Sequence, residues 1–411
     1  MFTLLPNVRH RPGWDWAGLA RAAIVIGAVL RGLWVLALHP PPNHVYSDMN
    51  SYVETAISLA RLDALERFDA FYPPGTHVLL AIPLWLIGVD RGGLFAGAVL
   101  WAVLSALTPY FMWRFTRLVL PQPAAAIATV LCALWPLHIL YAGYFTSETP
   151  GLAFMVLSLW LVERAFQRGS PRDGLLGGIA SGIATATRPA FALNVIALGI
   201  PRLRRLGAHT VPVAFLAAGA ALVLAVVIVH NSAATGRLTG VSENSGLTFY
   251  LGHCDVNSVS TGHPGGLYFS FGTPVAHQLA RGQDVTFPDQ QVWDQDFFIA
   301  QGMSCIADDG LAHARVLLRN VFDMGLSTVP WPLVNDPGAE EVANLTNVAY
   351  SCALPFIVFG AVRKIRRSWP IGGGRGELML LVQLSLVLVT AIVFFGDPRF
   401  RMPFDVFGLA L

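Results

Sequence analysis

Long apolar runs separated by short polar turns fill most of the chain. A helix that crosses a bilayer needs about 20 mostly apolar residues, and several runs reach or approach that length. The pattern therefore predicts an all-α protein that crosses the membrane many times. The predicted spans are Trp16 to Leu38, Gly92 to Trp113, Ala124 to Tyr144, Pro150 to Val162, Val211 to Val229, Leu345 to Val362 and Leu378 to Phe395.

Two further apolar stretches do not have the pattern of a single span. Thr76 to Val89 is short and contains Pro83, so we expect it to lie at the interface or to re-enter the membrane. Gly174 to Ile200 has basic residues on both flanks, which favours a hairpin of two short helices. The expected turn is "TRPA", Thr187 to Ala190, because proline ends a helix.

Basic residues mark the cytoplasmic ends of the spans, since cytoplasmic loops carry an excess of Lys and Arg. This rule puts residues 39–75 and 231–336 outside the cytoplasm. It divides the chain into a transmembrane catalytic module (1–230), an extracytoplasmic loop domain (231–336) and C-terminal transmembrane helices (337–411). The last apolar run, Phe404 to Leu411, is too short to span, which suggests that the sequence stops inside a helix. The marker residues are Arg9, Arg11, Arg21, Arg114, Arg117, Arg164, Arg168, Arg172 and the stretch Arg363 to Arg367.

Composition supports a multi-pass membrane protein. The chain is 54% hydrophobic and 13% charged, with a mean hydropathy of +0.56, whereas about 25% of the residues of a soluble domain are charged. The net charge is +2, and the basic residues lie in separate turns. No basic patch of the kind that binds nucleic acid is present in the sequence.

The polar exceptions gather on one predicted face of the membrane. They lie in the loop that begins at Asn43, in "YFTSETP" (Tyr144 to Pro150), in "TRPA" and in "GDPRFRMP" (Gly396 to Pro403). An ionisable group at or in the bilayer costs several kcal/mol unless it is paired or solvated. One polar, catalytic cavity on the extracytoplasmic side is the prediction. The ionisable residues concerned are Asp48, Glu54, His77, Glu148, Arg188, Asp397, Arg399 and Arg401.

Structural roles explain some of these residues equally well. Ser47 and Asp48 suit the N-terminal cap of an interfacial helix, and Glu148 before a proline suits a helix start. Arg188 has the length to reach the lipid headgroups. Arg399 and Arg401 break the distribution of basic residues expected from topology, which favours a functional role for them.

The motifs "SDMNSY", "YPPG", "TSE", "TRP" and "GDPRFRMP", in this order and on one side, resemble the GT-C superfamily of integral-membrane glycosyltransferases. That superfamily includes protein O-mannosyltransferases and aminoarabinose transferases acting on lipid A, and the resemblance covers about residues 16 to 411. It implies a bundle of about ten transmembrane helices with an interfacial helix in the first extracytoplasmic loop. It also implies a polyprenyl-phosphate sugar as donor.

The resemblance assigns the catalytic base to Asp48, which matches the acidic residue of the first loop. Many relatives carry a second acid directly after the first, where this chain has Met49. The departure leaves sugar and acceptor open and argues against a metal held by an acidic pair. We expect no cofactor and no bound metal, with metal dependence left open.

The chemistry of transfer assigns the remaining residues. A polyprenyl phosphate gains negative charge as it leaves, so the site needs fixed cations, and arginine matches phosphate oxygens with two N–H groups. Arg399 is the first candidate, followed by Arg401, Arg188 and His77. The candidates for orienting groups or acceptor contacts are Glu148, Glu54, Tyr52 and Tyr72. A single displacement by one base would invert the anomeric centre, while retention would need Glu54 or Glu148 as a nucleophile.

These inferences predict an inner-membrane transferase that acts on a cell-envelope glycan, lipid or protein at the extracytoplasmic face. A lipid or solute transporter, a flippase, an assembly subunit and a transferase of whole oligosaccharides are the alternatives. A transporter is expected to place charges at the bilayer midplane in repeated halves, and no repeat is evident in the sequence. Cys254 and Cys305 both fall in the loop domain, where an oxidising compartment permits a disulfide.

Overall fold

A computed structural model describes residues 14–193, 206–254, 294–325, 331–336, 338–368 and 375–410. Within these ranges every regular element is helical, which confirms the predicted all-α class. The α-helices are α1 (Trp16–Leu33), α2 (Asp48–Arg61), α3 (Gly75–Ile87), α4 (Arg91–Val119), α5 (Gln122–Leu134), α6 (Pro136–Tyr141), α7 (Glu148–Arg168), α8 (Pro171–Thr187), α9 (Leu206–Thr235), α10 (Ser245–His253), α11 (Gln295–Asp309), α12 (Ala314–Gly325), α13 (Glu340–Ser368), α14 (Arg375–Val393), α15 (Pro398–Arg401) and α16 (Asp405–Gly408).

By length and composition, five of the described helices are able to cross a membrane. This supports a multi-pass membrane protein, while a total of about ten spans stays a prediction. The five candidate spans are Trp16–Asn43, Arg91–Val119, Glu148–Arg168, Thr210–Thr235 and Glu340–Arg366, and the shorter apolar helices are Gly75–Ile87, Gln122–Leu134 and Leu380–Val393.

One predicted span is broken in the structure, and one predicted hairpin is described only in its first part. The apolar run Ala124 to Tyr144 is not one helix, because it breaks at Trp135 and restarts at Pro136 as α6. The segment Gly174 to Ile200 begins as predicted, with α8 ending at Thr187 before a short 3-10 turn, Pro189–Phe191. The second arm of the predicted hairpin lies outside the described residues, which resume with α9.

A buried arginine stabilises the break between α5 and α6. Pro136 has no N–H to donate to the carbonyl of Cys132, so the last turn of α5 is left with free acceptors. Arg31 of α1 is fully buried there. Its Nη1 donates to the Ala133 carbonyl at 2.5 Å and its Nη2 to the Cys132 carbonyl at 3.4 Å, while Nε donates to Ser105 at 2.9 Å. The cation therefore replaces the missing backbone donors.

Small residues let α8 and α9 pack with their backbones in close approach. A Cβ at Gly178 would lie 2.1 Å from the Leu216 carbonyl oxygen, and one at Gly219 would lie 2.3 Å from that of Leu175. Such interfaces are common in membrane proteins, where van der Waals contact replaces the hydrophobic drive between helices. The packing fixes α8, whose C-terminal end carries Arg188.

The first loop contains an amphipathic helix, α2. One face of α2 buries Met49, Tyr52, Val53 and Ala56, while Glu54 is exposed. Val53 and Ala56 share an apolar cluster with residues of α3. Asp48 therefore begins a helix whose orientation is set by its apolar side.

The described part of the loop domain packs on the ends of two other elements. Glu243 is fully buried between Arg67 and Arg237, at 3.0 and 2.7 Å, which attaches the domain to the first loop. On the other side, Asn320 Nδ2 donates to the Gly252 carbonyl at 2.8 Å. A Cβ at Gly396 would lie 1.9 Å from the Asn320 carbonyl oxygen, so this contact requires glycine. The contact lies directly before Asp397.

Replacing Arg31 by alanine should destabilise the protein strongly. The change removes the donors to two buried carbonyls next to the α5–α6 break, and each buried acceptor left without a partner costs about 1–3 kcal/mol. We expect a loss of about 3 kcal/mol, measured by thermal or denaturant unfolding in detergent. Arg21→Ala is the matched control, because Arg21 lies on the same helix with its side chain 70% exposed. Equal unfolding of the two variants would contradict the role of Arg31.

The structure contains a disulfide between Cys254 and Cys305, with the Cα atoms 5.4 Å apart. Because such bonds persist in oxidising compartments, we expect peptide mapping of protein prepared without reductant to recover the two cysteines in one linked peptide. Under denaturing conditions Cys132 and Cys352, which are free, should be alkylated at once, and Cys254 only after reduction. Alkylation of Cys254 without reductant would contradict an extracytoplasmic domain.

Candidate active site

Four charged residues from distant parts of the chain form one cluster. Asp48 is the first residue of α2, Glu148 is the first residue of α7, Arg188 follows α8, and Arg399 lies in the single turn of α15. The sequence predicted that these residues share one face of the membrane. The structure places them within hydrogen-bonding distance of one another.

Glu148 is at the centre of the cluster. Its side chain is fully buried, and its Oε1 accepts hydrogen bonds from Nη1 of Arg188, at 2.5 Å, and from Nε of Arg399. Nη1 of Arg188 also donates to Ser147 Oγ at 3.2 Å. A buried carboxylate is stable in its charged form only when it is paired and hydrogen-bonded. Glu148 is therefore a counterion that holds two arginines together.

Asp48 has a different environment from Glu148. Its Oδ1 accepts from the Tyr72 hydroxyl at 2.9 Å and its Oδ2 from Nη1 of Arg399 at 3.0 Å. Its side chain remains 27% exposed, whereas that of Glu148 is 0% exposed. The capping interpretation of Ser47 and Asp48 is not supported, since the Ser47 side chain makes no capping hydrogen bond. Asp48 is thus the accessible carboxylate of the pair.

Aromatic rings cover the two arginines. The Arg399 guanidinium lies 4.3 Å from the ring centroid of Trp331, and that of Arg188 lies 5.1 Å from the ring centroid of Phe400. Stacking on aromatic faces suits the weakly hydrated guanidinium. Sequence reasoning did not select Trp331 or Phe400 as site residues. Phe400 was detectable from its place between two arginines, while Trp331 had no local signal.

Electrostatics keep the donors of the cluster protonated. Burial lowers the pKa of Arg399, but Glu148 and Asp48 more than compensate, so that it stands well above its ordinary value. Burial, followed by the negative charge of Asp48, raises the pKa of Tyr72 above its ordinary value. The same two causes raise that of Tyr52, whose ring centroid lies 5.0 Å from that of Tyr72. At neutral pH, Tyr72 therefore donates and Arg399 is a cation.

Asp397 and Met49 set the edges of the site. Oδ1 of Asp397 accepts the backbone N–H of Arg399 at 2.7 Å, which starts the turn that aims the arginine at Glu148. Met49 is fully buried in an apolar cluster with Tyr141 and Met402. The position where many relatives carry a second acid thus faces apolar side chains here.

Three predicted site residues lie elsewhere. Arg401 points away from Arg399, pairs with Asp405 at 3.0 Å, and lies over the ring of Tyr350. His77 is buried and its ring lies 6.4 Å from that of His230, and no contact joins it to the four charged residues within the described part of the chain. Glu54 is exposed, on the opposite side of α2 from its buried face. The contacts of Arg401 therefore indicate a structural role, in an ion pair with Asp405.

Glu148→Gln should destabilise the protein although it preserves the shape of the side chain. The change leaves Arg188 and Arg399 buried without their shared counterion, and breaking a buried pair costs about 3–5 kcal/mol. Unfolding in detergent measures the loss. Glu54→Gln makes the same chemical change on an exposed side chain and should leave stability unchanged. A Glu148→Gln protein as stable as this control would show that the two arginines do not depend on Glu148.

One protein family and several solved structures are similar to this chain. The family model described as dolichyl-phosphate-mannose-protein mannosyltransferase matches residues 72–232. The archaeal oligosaccharyltransferase AglB from Archaeoglobus fulgidus, solved with an inhibitory peptide and a dolichol-phosphate, superposes with a TM-score of 0.54 at 15% identity, covering 97% of this chain and 50% of its own. Its apo form gives a TM-score of 0.54 at 14% identity, with coverages of 97% and 50%.

ArnT from Cupriavidus metallidurans, in the apo state, is a weaker match, with a TM-score of 0.40 at 15% identity and coverages of 96% and 77%. No curated protein matches the chain. The chain spans about half the length of the oligosaccharyltransferase, 50% by residues covered. The chain therefore shares the fold of the AglB oligosaccharyltransferase, and its residues 72–232 match a mannosyltransferase family, in agreement with the resemblance that its motifs carry.

Proposed function

We propose that the protein transfers a sugar from a polyprenyl-phosphate-linked donor to an extracytoplasmic acceptor. The observation that carries this proposal is the asymmetry of the two clustered carboxylates. Asp48 is partly exposed and Glu148 is sealed, and both bind Arg399. The cluster thus offers one accessible base next to a cation, which is the pair of groups that displacement of a phosphate by a hydroxyl requires.

Asp48 is the proposed general base. As the acceptor oxygen attacks the anomeric carbon, its proton passes to a carboxylate oxygen within about 3 Å. The hydrogen bonds from Tyr72 and Arg399 fix the orientation of the Asp48 carboxylate. The bond between the anomeric carbon and the donor phosphate oxygen breaks in the same step, and the polyprenyl phosphate leaves with the electron pair.

Arg399 is the proposed contact for the leaving phosphate. Its Nε and Nη1 are occupied by Glu148 and Asp48, and a guanidinium carries five N–H donors. The remaining three make no hydrogen bond to any residue in the described ranges. Arg188 binds Glu148 and adds a second positive charge near the proposed phosphate position. The placement of Arg401 and His77 removes the reason to include them.

A single displacement with inversion follows from the same asymmetry. Retention would require a second carboxylate able to attack the sugar. Glu148 is buried beneath two arginines, and Glu54 lies on the exposed side of α2. Asp48 is therefore the carboxylate that we assign to the reaction, acting as base and not as nucleophile.

The donor and location have independent support. The matching family is named for a dolichyl-phosphate sugar donor, and AglB was solved with a dolichol-phosphate. The disulfide between Cys254 and Cys305 favours an oxidising compartment, which supports an extracytoplasmic location for the loop domain. The buried Met49 favours a reaction without a metal held by an acidic pair. We propose a glycan, lipid or protein of the cell envelope as acceptor.

Asp48→Asn should lower the turnover number about 10²–10⁴-fold, because that is the usual contribution of a general base. The assay follows labelled sugar from a panel of polyprenyl-phosphate donors to envelope acceptors, with purified protein in liposomes. Glu54→Gln, an acid-to-amide change on the same helix, is the control and should retain full activity. Arg399→Lys keeps the positive charge but loses the planar set of guanidinium N–H donors. It should therefore impair turnover while the protein stays folded.

An active protein in which Asp48→Asn matches the control would contradict the assignment of the base. A folded protein that uses none of the donors, yet moves the lipid across the bilayer, would instead favour a flippase. The donor that supports transfer identifies the sugar.

A further inference from the structure

We propose that His39, His44 and Asp336 bind a divalent transition metal ion, with zinc the best fit. His39 and His44 lie at the start of the first loop, and Asp336 is the last residue of the loop domain, just before α13. One ligand atom from each residue lies within 4.8 Å of the others. Two imidazoles and a carboxylate are a usual protein ligand set for zinc, with a fourth position left for water.

The contacts of His39 leave a problem that a cation solves. Its Nδ1 lies 3.1 Å from the Gly143 carbonyl oxygen, which only accepts hydrogen bonds, so Nδ1 must carry the proton. In a neutral ring Nε2 then presents a lone pair, and Nε2 lies 2.7 Å from Oδ2 of Asp336. Two lone pairs repel at this distance unless a positive charge lies with them.

Both histidines face the same carboxylate oxygen. Nδ1 of His44 also lies against Asp336 Oδ2, at 3.0 Å, and the rings of His39 and His44 are stacked with centroids 3.5 Å apart. Two ring nitrogens and a carboxylate oxygen thus converge on one point, as ligand atoms do around a shared cation. A single metal ion accepts the lone pairs of both rings and of the carboxylate.

The surroundings resemble the outer shell of a metal site. Ligating histidines commonly donate their second N–H to a backbone carbonyl, and ligating carboxylates are themselves hydrogen-bonded. His39 donates to Gly143, while Asp336 accepts the Tyr144 hydroxyl at 2.9 Å and the Gly338 N–H at 3.0 Å. A Cβ at Gly143 would lie 2.8 Å from His39 Nδ1, so glycine is needed for the ring to fit.

The spacing of the ligand atoms is close to that around one ion. Zinc–ligand distances of about 2.0–2.2 Å place neighbouring tetrahedral ligand atoms roughly 3.3 Å apart. The contacts from His39 and His44 to Asp336 are 2.7 and 3.0 Å, so side-chain shifts of a few tenths of an ångström admit the ion. His44 is the more accessible ligand, with a side chain that is 25% exposed, and offers an entry path.

The ion would connect two segments that carry site residues. His44 precedes Asp48 in the first loop, and Asp336 follows Trp331, whose ring covers Arg399. The Tyr46 hydroxyl donates to the Pro332 carbonyl at 2.7 Å and joins the same two segments. The contacts of His39, His44 and Asp336 involve none of the four clustered charges, so the proposed role of the ion is to position the loop that holds Asp48.

The sequence predicted no bound metal, and the metal site weighed there was an acidic pair at the positions of Asp48 and Met49. His39 and Asp336 are 297 residues apart, so no short sequence motif predicts that they meet. The proposed ion is separate from the transfer reaction proposed above, and its binding is measured without any donor. Failure of one proposal therefore leaves the other intact.

Zinc binding to the full chain tests the site. The protein in detergent is stripped with EDTA, returned to zinc chloride and passed through a desalting column, and bound zinc is measured by mass spectrometry. We expect one ion per wild-type chain and at least tenfold weaker binding in His44→Gln and Asp336→Asn. Tyr46→Phe, which breaks the neighbouring link without touching a ligand atom, should bind zinc like the wild type. Cobalt in place of zinc should give d–d absorption bands of a nitrogen and oxygen site.

Either of two results would overturn the proposal. One is a folded wild-type protein, with Cys254 and Cys305 linked, that retains no zinc or cobalt. The other is retention of the ion by His44→Gln and Asp336→Asn at the wild-type level. In addition, zinc should raise the unfolding temperature of the wild type and of Tyr46→Phe, and leave that of the two ligand variants unchanged.

Discussion

The shared ion pair of Glu148 with Arg188 and Arg399 is the contact on which the arrangement of the site depends. A carboxylate without exposure at the start of a membrane helix is costly unless cations meet it, and here the cations come from α8 and from the turn after α14. Three parts of the bundle must therefore meet at one point. The close packing of α8 against α9 and the contact of Gly396 with Asn320 are the means by which the backbone allows it.

The same ion pairs give Glu148 and Asp48 different roles. Glu148 forms ion pairs with both arginines. Arg399 can therefore also bind Asp48 and still keep N–H donors that are not bonded to either carboxylate. Asp48 keeps 27% of its side chain exposed and, among the residues that the structure describes, accepts hydrogen bonds from the side chains of Tyr72 and Arg399. The same residue type thus serves as a fixed counterion in one place and as a reactive group in the other, and burial makes the difference.

Much of this could be predicted from the sequence, because the cost of charge in a membrane is a local signal. Asp48, Glu148, Arg188 and Arg399 each interrupt an apolar pattern, and counting spans puts them on one side. The partners of each charge follow from tertiary packing and were not predictable in the same way. Arg399 and Arg401 illustrate the limit. In a helical turn, residues two apart face different sides, so only one of them reaches Glu148, and Arg401 meets Asp405 one turn later.

Residues that carry no unusual local pattern escaped prediction altogether. Trp331 and Asp336 lie in a polar stretch where a tryptophan and an aspartate are ordinary, and His39 and His44 flank a run of prolines at a helix end. Their importance arises only when the chain returns from the loop domain and lays this stretch against the first loop. Residues 331–336 therefore contact the loop that holds Asp48 and also cover Arg399. A displacement of this segment would therefore alter the surroundings of the base and of the cation together.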